Sequence, residues 1–233
     1  MTILALEFSS PQRSVAIARE GRVLGEVIET GAGLRPDQEA GTSSRQSGAT
    51  QAFGMIEAVL REAKLEREQI EILAVGLGPG SYTGIRVALS IAQGWQLARG
   101  AKLVGVSSVD CLAAQARAER IFGRVNVMVD AQRNEFYLST YEISADGWNA
   151  IGPLRILTAG EIQSRAGAGE ILIGPEMTRW FPCGRTIFPR AATLARLAVE
   201  RDDFVAGEKL EPIYLREANF VKVPARKLPA LQR

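Results

Sequence analysis

Between Gly76 and Gly94 the chain reads GLGPGSYTGIRVALSIAQG, and Gly78, Gly80, Ser81 and Thr83 are residue types suited to holding an anion. Free backbone N–H groups at a helix N-terminus attract phosphate, and small side chains let it come close. The two named nucleotide motifs do not fit. A P-loop needs G-x-x-x-x-G-K-[ST], with a lysine for the outer phosphates. Here Gly78 to Gly84 has the wrong spacing, and Arg86 stands near the lysine position but not at it. A G-x-G-x-x-G fingerprint would place its third glycine at Thr83, one position early. The AKLVGV segment further on offers no acid for a ribose. Gly78, Gly80, Ser81 and Thr83 remain a candidate anion site without a named motif.

Asp130 and Glu135, in the turn DAQRNE, form a second constellation with catalytic shape. An aspartate that follows a strand commonly bonds the turn backbone, and Arg133 is at hand to neutralise either acid, so a structural role is the stronger reading. The chain contains no histidine. That excludes histidine-dependent triads and histidine-containing zinc sites. Cys111 and Cys183 form no motif and read as plain packing thiols of a reducing compartment.

The helix opened by the glycine motif carries a different chemistry, that of close approach. Gly84, Ala88 and Ala92 recur every four residues, and so do Ser90, Gly94 and Ala98. Each set makes a stripe of small side chains against which another backbone can lie. One stripe suits the chain's own sheet and the second asks for another neighbour; both packing inside one lobe is the equal alternative. A mid-helix glycine costs about 1 kcal/mol relative to alanine, so Gly94 needs a packing reason. Gly84→Leu is expected to block pairing and leave the monomer folded.

These residues need a scaffold of strands and helices. ILALEF, SVAIARE and RVLGEVIE read as a strand meander, followed by a polar Gly/Ser/Thr loop and a helix from about Gly48, for which Ser47 is the N-cap candidate. ILAVGLG and AKLVGVS read as buried strands, and Val109 to Ala118 as a helix. VNVMVD and EFYLSTYEI then restart the meander as a hairpin, followed by the strand ILIG and a helix over Ala192 to Glu200. The order predicts two α/β lobes, residues 1–105 and 106–233, each a mixed sheet with helices. With 233 residues, 46% hydrophobic and 23% charged, the composition is that of an ordinary globular protein, and the net charge of +2 does not by itself argue for nucleic acid. The N-terminus lacks the pattern of a signal peptide, and no run is long enough to span a membrane, so a cytoplasmic protein is expected.

The stretch GLGPGSYTGIRVALSIAQGWQLARGAKLVGVSSVDCLAAQA closely resembles the signature of the bacterial TsaB (YeaZ) proteins, G-x-G-P-G-S-[FY]-T-G-[IV]-R followed by I-A-x-G and I-G-V-S-[ST]-L. VMVDAQRNEFY and EPIYLRE resemble two further stretches of that family, in the same order. The resemblance implies a two-lobed actin-like, Hsp70-like (ASKHA) fold. It also implies a non-catalytic subunit in the making of threonylcarbamoyladenosine (t6A) in tRNA, pairing through N-lobe helices with the catalytic TsaD subunit and activating it. The implied pairing surface comprises Phe53, Gly84, Arg86, Ala88, Ser90, Ala92 and Gly94. Further implied partners are TsaE, tRNA through the complex and, in isolation, a second copy; no cofactor is implied. TsaD-type chains carry V-N-H-x-x-x-H, and alignment puts Ser108 and Leu112 at those two metal-binding positions.

Two departures from the family pattern stand out. Glu7-Phe8-Ser9 replaces Asp-Thr-Ser or similar at the end of the first strand, which weakens a nucleotide reading there, and Gln46-Ser47 replaces a His-Ser pair. The basic C-terminal segment, with Lys222, Arg226, Lys227 and Arg233, is a candidate phosphate contact. A metallopeptidase is rejected for want of histidine. The remaining alternative is an actin-like small-molecule kinase or ATPase, with phosphate loops at Glu7 to Ser10 and Asp130 to Arg133.

Overall fold

The segment TILALE alternates two sets of apolar side chains, and both sets find cover. In the computed structural model, which describes residues 1–30 and 48–215, it forms the fully buried central strand β1 (Thr2–Glu7). The meander continues as β2 (Gln12–Arg19) and β3 (Arg22–Thr30), both antiparallel. Helix α1 (Gly48–Ala63), β4 (Ile72–Gly76), α2 (Tyr82–Arg99) and β5 (Lys102–Val106) follow, with β4 and β5 added in parallel. After α3 (Ser108–Ala118) come β6 (Gly123–Asp130), β7 (Glu135–Ile143), β8 (Trp148–Ala150), β9 (Arg155–Thr158), α4 (Ala159–Gly167), β10 (Ile171–Gly174), α5 (Met177–Trp180), β11 (Arg185–Thr186) and α6 (Ala191–Val199).

The first sheet has the order β3-β2-β1-β4-β5, and the second, read from its other edge, has β8-β7-β6-β10-β11. The pairing senses also match: β6 and β7 are antiparallel, as are β7 and β8, while β10 lies parallel to β6 and β11 parallel to β10. The chain therefore builds one topology twice: the two α/β lobes that the element order predicted, in the actin-like arrangement that the family resemblance implied.

Period-two alternation fixes what each face meets. Leu4, Leu6, Val15, Ile17, Leu73 and Val75 turn toward α1 and α2. The other face is shallower: Ala5, Ala16, Ala18 and Ala74 meet Ala191, Ala192, Ala195 and Ala198 of α6. Alanine against alanine lets that helix lie close to the strands. In the second lobe Val109, Leu112, Ala113 and Ala116 of α3 cover one face, and α4 and α5 cover the other. The helix that ends each half thus packs on the sheet of the other half, α3 on the second and α6 on the first. The boundary expected at 105/106 falls within β5, and the chain beyond Arg190 returns to the first sheet, where Val205 bridges Leu103 and Ile213 N–H bonds the Leu77 carbonyl.

Helix α2 is capped by Ser81, whose hydroxyl accepts the Gly84 N–H, and ends at Gly100 in the left-handed region. The Ser47 cap of α1, the Gln46-Ser47 pair and the C-terminal basic residues lie outside the described residues.

Candidate functional site

The glycine motif is first a device for bringing two backbones together. A Cβ on Gly84 would stand 2.0 Å from the Phe8 carbonyl oxygen, and one on Gly80 would stand 2.0 Å from that of Ser9. No side chain fits at either place. The loop then spends its own donors on this seating. Ser81 N–H bonds Ser9 O at 2.7 Å, Gly78 N–H bonds Ser108 Oγ at 3.1 Å, and Gly84 N–H bonds Ser81 Oγ at 3.3 Å. Of the candidate anion residues, Gly78 and Ser81 therefore hold the chain itself, while Thr83 lies exposed at the first turn.

Behind the loop, Glu7 is fully buried at the end of β1. Its Oε1 accepts Ser9 N–H at 2.8 Å, and its Oε2 accepts the Ser108 hydroxyl at 2.9 Å. Burial raises the carboxyl above its ordinary value of 4.5, and the Ser9 and Ser108 hydrogen bonds offset only part of that. Burial likewise pushes the neighbouring Cys111 thiol up, with the Glu7 charge adding to it. The position aligned with a metal ligand is thus a hydroxyl that satisfies a buried acid, and Leu112 lies in the second lobe's core. Among the described residues, no cluster of three or more metal-ligating side chains occurs.

The ends of β1 and β6 face a cleft of about 570 Å³ between the lobes. Its lining includes Ser9, Gly80, Thr83, Asp130 and Glu176 but no lysine or arginine among the described residues, a charge balance that repels phosphate. Asp130 accepts the Gln132 N–H at 2.7 Å, and Gln132, Arg133 and Asn134 all take positive φ. The aspartate bonds its turn, as its place after a strand predicts.

The outward face of α2 is different. Gly84, Ala88 and Ala92 are buried against the chain's own sheet, so this first stripe is internal. Gly84→Leu would drive a side chain into the Phe8 carbonyl, and the expectation that it leaves the monomer folded is corrected on that ground. Arg86, Ser90 and Gly94 are exposed, and a Cβ on Gly94 would meet nothing within 4 Å among the described residues. Beside them Phe53 of α1 is 49% exposed and Leu97 is 88% exposed. Phe53, Ser90 and Ile91 are shared by two shallow hollows of about 500 and 320 Å³.

Two features of this face were not singled out from the sequence. Tyr82 stacks on Tyr214 at 5.6 Å, with the Arg86 guanidinium 5.1 Å over its ring and donating to its hydroxyl at 2.9 Å. The four-residue spacing of Tyr82 and Arg86 was the available signal. Trp95 lines the smaller hollow, and its buried Nε1 finds no hydrogen-bond partner among the described residues.

The family model for TsaD, tRNA N6-adenosine threonylcarbamoyltransferase, matches residues 40–213. The "tRNA threonylcarbamoyladenosine biosynthesis protein TsaB" of Escherichia coli is 28% identical over 75% of this chain and 81% of its own length. An uncharacterized protein of Mycobacterium tuberculosis is 30% identical over 92% of both chains. Among solved structures, YeaZ from Pseudomonas aeruginosa superposes with a TM-score of 0.73 at 26% identity, covering 92% of this chain and 99% of its own.

Two measurements check the site's physics. The folded state holds the Glu7 proton more tightly than the unfolded one. Its stabilisation is therefore complete below about pH 4.5 and is lost as pH rises through the raised folded value, at about 1.4 kcal/mol per tenfold displacement of the equilibrium. Glu7→Gln removes that loss, so its melting temperature relative to the wild type should climb as pH rises above about 4.5; parallel pH profiles would contradict the buried acid. In denaturant unfolding, Gly84→Leu should lose about 3 kcal/mol or more, whereas Gly94→Leu should be neutral or gain roughly 0.5–1 kcal/mol.

Proposed function

This chain belongs to the TsaD-type threonylcarbamoyltransferase family, in its TsaB (YeaZ) branch, and from that membership we propose that it serves t6A biosynthesis as a non-catalytic subunit that pairs with a TsaD-type catalyst and activates it. The observation that carries the pairing is Gly94. A helix-interior glycine costs about 1 kcal/mol, and nothing among the described residues approaches it to explain that cost. It opens a gap between exposed apolar residues, Phe53 on α1 and Leu97 on α2, where a partner helix can lie against the backbone.

In this reading the partner sits on α1 and α2, over the first sheet, contacting Phe53, Arg86, Ser90 and Gly94. The buried Gly84, Ala88 and Ala92 set the pitch of α2 from beneath. The same patch suits an isologous pair with a second copy when the partner is absent. TsaE and tRNA would join through the complex, in the cytoplasm. The non-catalytic assignment draws on Ser108 and Leu112, which have structural occupations where a TsaD-type chain would bind metal, and on an interlobe cleft whose charge disfavours nucleotide phosphates.

The test is a reconstituted tRNA modification assay with TsaD and the remaining pathway proteins, run with and without this chain. Product should depend on the chain, and Gly94→Leu should cut both pairing and product at least tenfold while staying folded. Full product without the chain would overturn the assignment; full product with Gly94→Leu would overturn the surface. EDTA should leave the melting temperature of the isolated chain unchanged, and a large drop would point to a bound metal.

A further inference from the structure

A second surface lies between the two exchanged helices and shares no residue with the pairing patch. Ala114, Arg117 and Ala118 of α3, Arg120 and Phe122 beyond it, Trp148 of β8, and Arg196 and Leu197 of α6 enclose a groove of about 830 Å³. Because α6 covers the opposite face of the first sheet from α1 and α2, the groove stays open when a partner occupies the pairing patch.

Its chemistry has two halves. Three guanidinium groups line it against a single carboxylate, Glu200. Arg117 donates through Nε and Nη2 to the Ala145 carbonyl, at 3.2 and 2.7 Å, which fixes its plane without neutralising its charge. Arg117, Arg120 and Arg196 take part in no ion pair among the described residues. The other half is aromatic. Phe122 is 42% exposed, and Trp148 is held edge-to-face on Tyr141 at 5.6 Å, while the Tyr141 hydroxyl donates to Asp110 at 2.7 Å. The indole is therefore a fixed platform, with the alanines and Leu197 as an apolar floor.

An acidic peptide would use the arginines and leave the rings idle, and an apolar helix would strand three charges. A ligand that alternates phosphates with flat aromatic faces uses both halves. A duplex hides those faces in its stack, so the fit is to an unpaired strand. We propose that this groove binds a segment of single-stranded RNA, its phosphates on Arg117, Arg120 and Arg196 and an unstacked base on Phe122 and Trp148. The choice of RNA as the nucleic acid rests on the proposed part in tRNA modification.

The test is fluorescence anisotropy of a labelled short oligoadenylate with the full chain, across a salt series. Arg120→Gln/Arg196→Gln should weaken binding tenfold or more and flatten the slope of log K against log salt by about 1.4, for two lost phosphate contacts on a single strand. Phe122→Ala should weaken it several-fold with the slope kept. Several results would overturn the proposal: no binding by the wild type, binding indifferent to these variants (as when residues 216–233 carry it), equal affinity for the matching duplex, or a preference for the free mononucleotide. Pairing with TsaD and chain-dependent product are measured on the same variants. A chain that pairs and supports product but ignores the groove substitutions loses the groove alone; one that neither pairs nor supports product loses the subunit assignment itself.

Discussion

The approach of helix α2 to the end of β1 sets the geometry of the first lobe. Two carbonyl oxygens, those of Phe8 and Ser9, occupy the space that side chains would need at Gly84 and Gly80. Once the helix is seated there, its azimuth is fixed. Ala88 and Ala92 continue inward along the buried stripe, and Ser90 and Gly94 are carried outward. A glycine motif that resembles a phosphate cradle thus works chiefly as a spacer, and the surface it positions lies on the helix's other side. The buried Glu7–Ser108 hydrogen bond ties the same corner to the start of α3, so the loop, the strand and the second lobe meet at one satisfied polar cluster.

The lobes are joined by more than that corner. Each half of the chain ends in a helix that belongs to the other half's sheet, and the face that receives α6 is lined with alanine on both sides. Arg190, just before α6, pairs with Glu26 of β3, whose Oε1 also accepts the Ala192 N–H at 3.0 Å, and the Ser14 hydroxyl accepts the Ala191 N–H at 2.8 Å. These contacts cap the N-terminus of the returning helix with an acid and a hydroxyl from the first sheet, where the helix dipole favours them.

Much of this was legible in the sequence. The strands of both meanders, α1, α2, α3 and α6 all announce themselves through alternation or three-and-four spacing, and the order of elements predicted the duplication although no literal repeat exists. Helix α4 went unread because Ile162 is its only buried residue, leaving almost no apolar period; the Thr158–Glu161 capping box was the signal to use. The stripes were legible as stripes, but which one faced inward was not. That depends on where the Phe8 carbonyl lies, a contact across 76 positions of chain that no local pattern encodes. The burial of Glu7 was hidden for the same reason, since its partner Ser108 is 101 residues away.

The return of α6 also has a consequence in time. During synthesis the first sheet is complete in sequence at Val106, yet the face formed by Ile3, Ala5, Ala16, Ile72, Ala74 and Val104 lacks the helix that covers most of it until Val199 has been made. At ribosomal speeds of roughly 5–20 residues per second, that is a wait of about 5–20 seconds. Throughout it the nascent N-terminal half keeps most of an apolar sheet face uncovered, until the last helix emerges to close it.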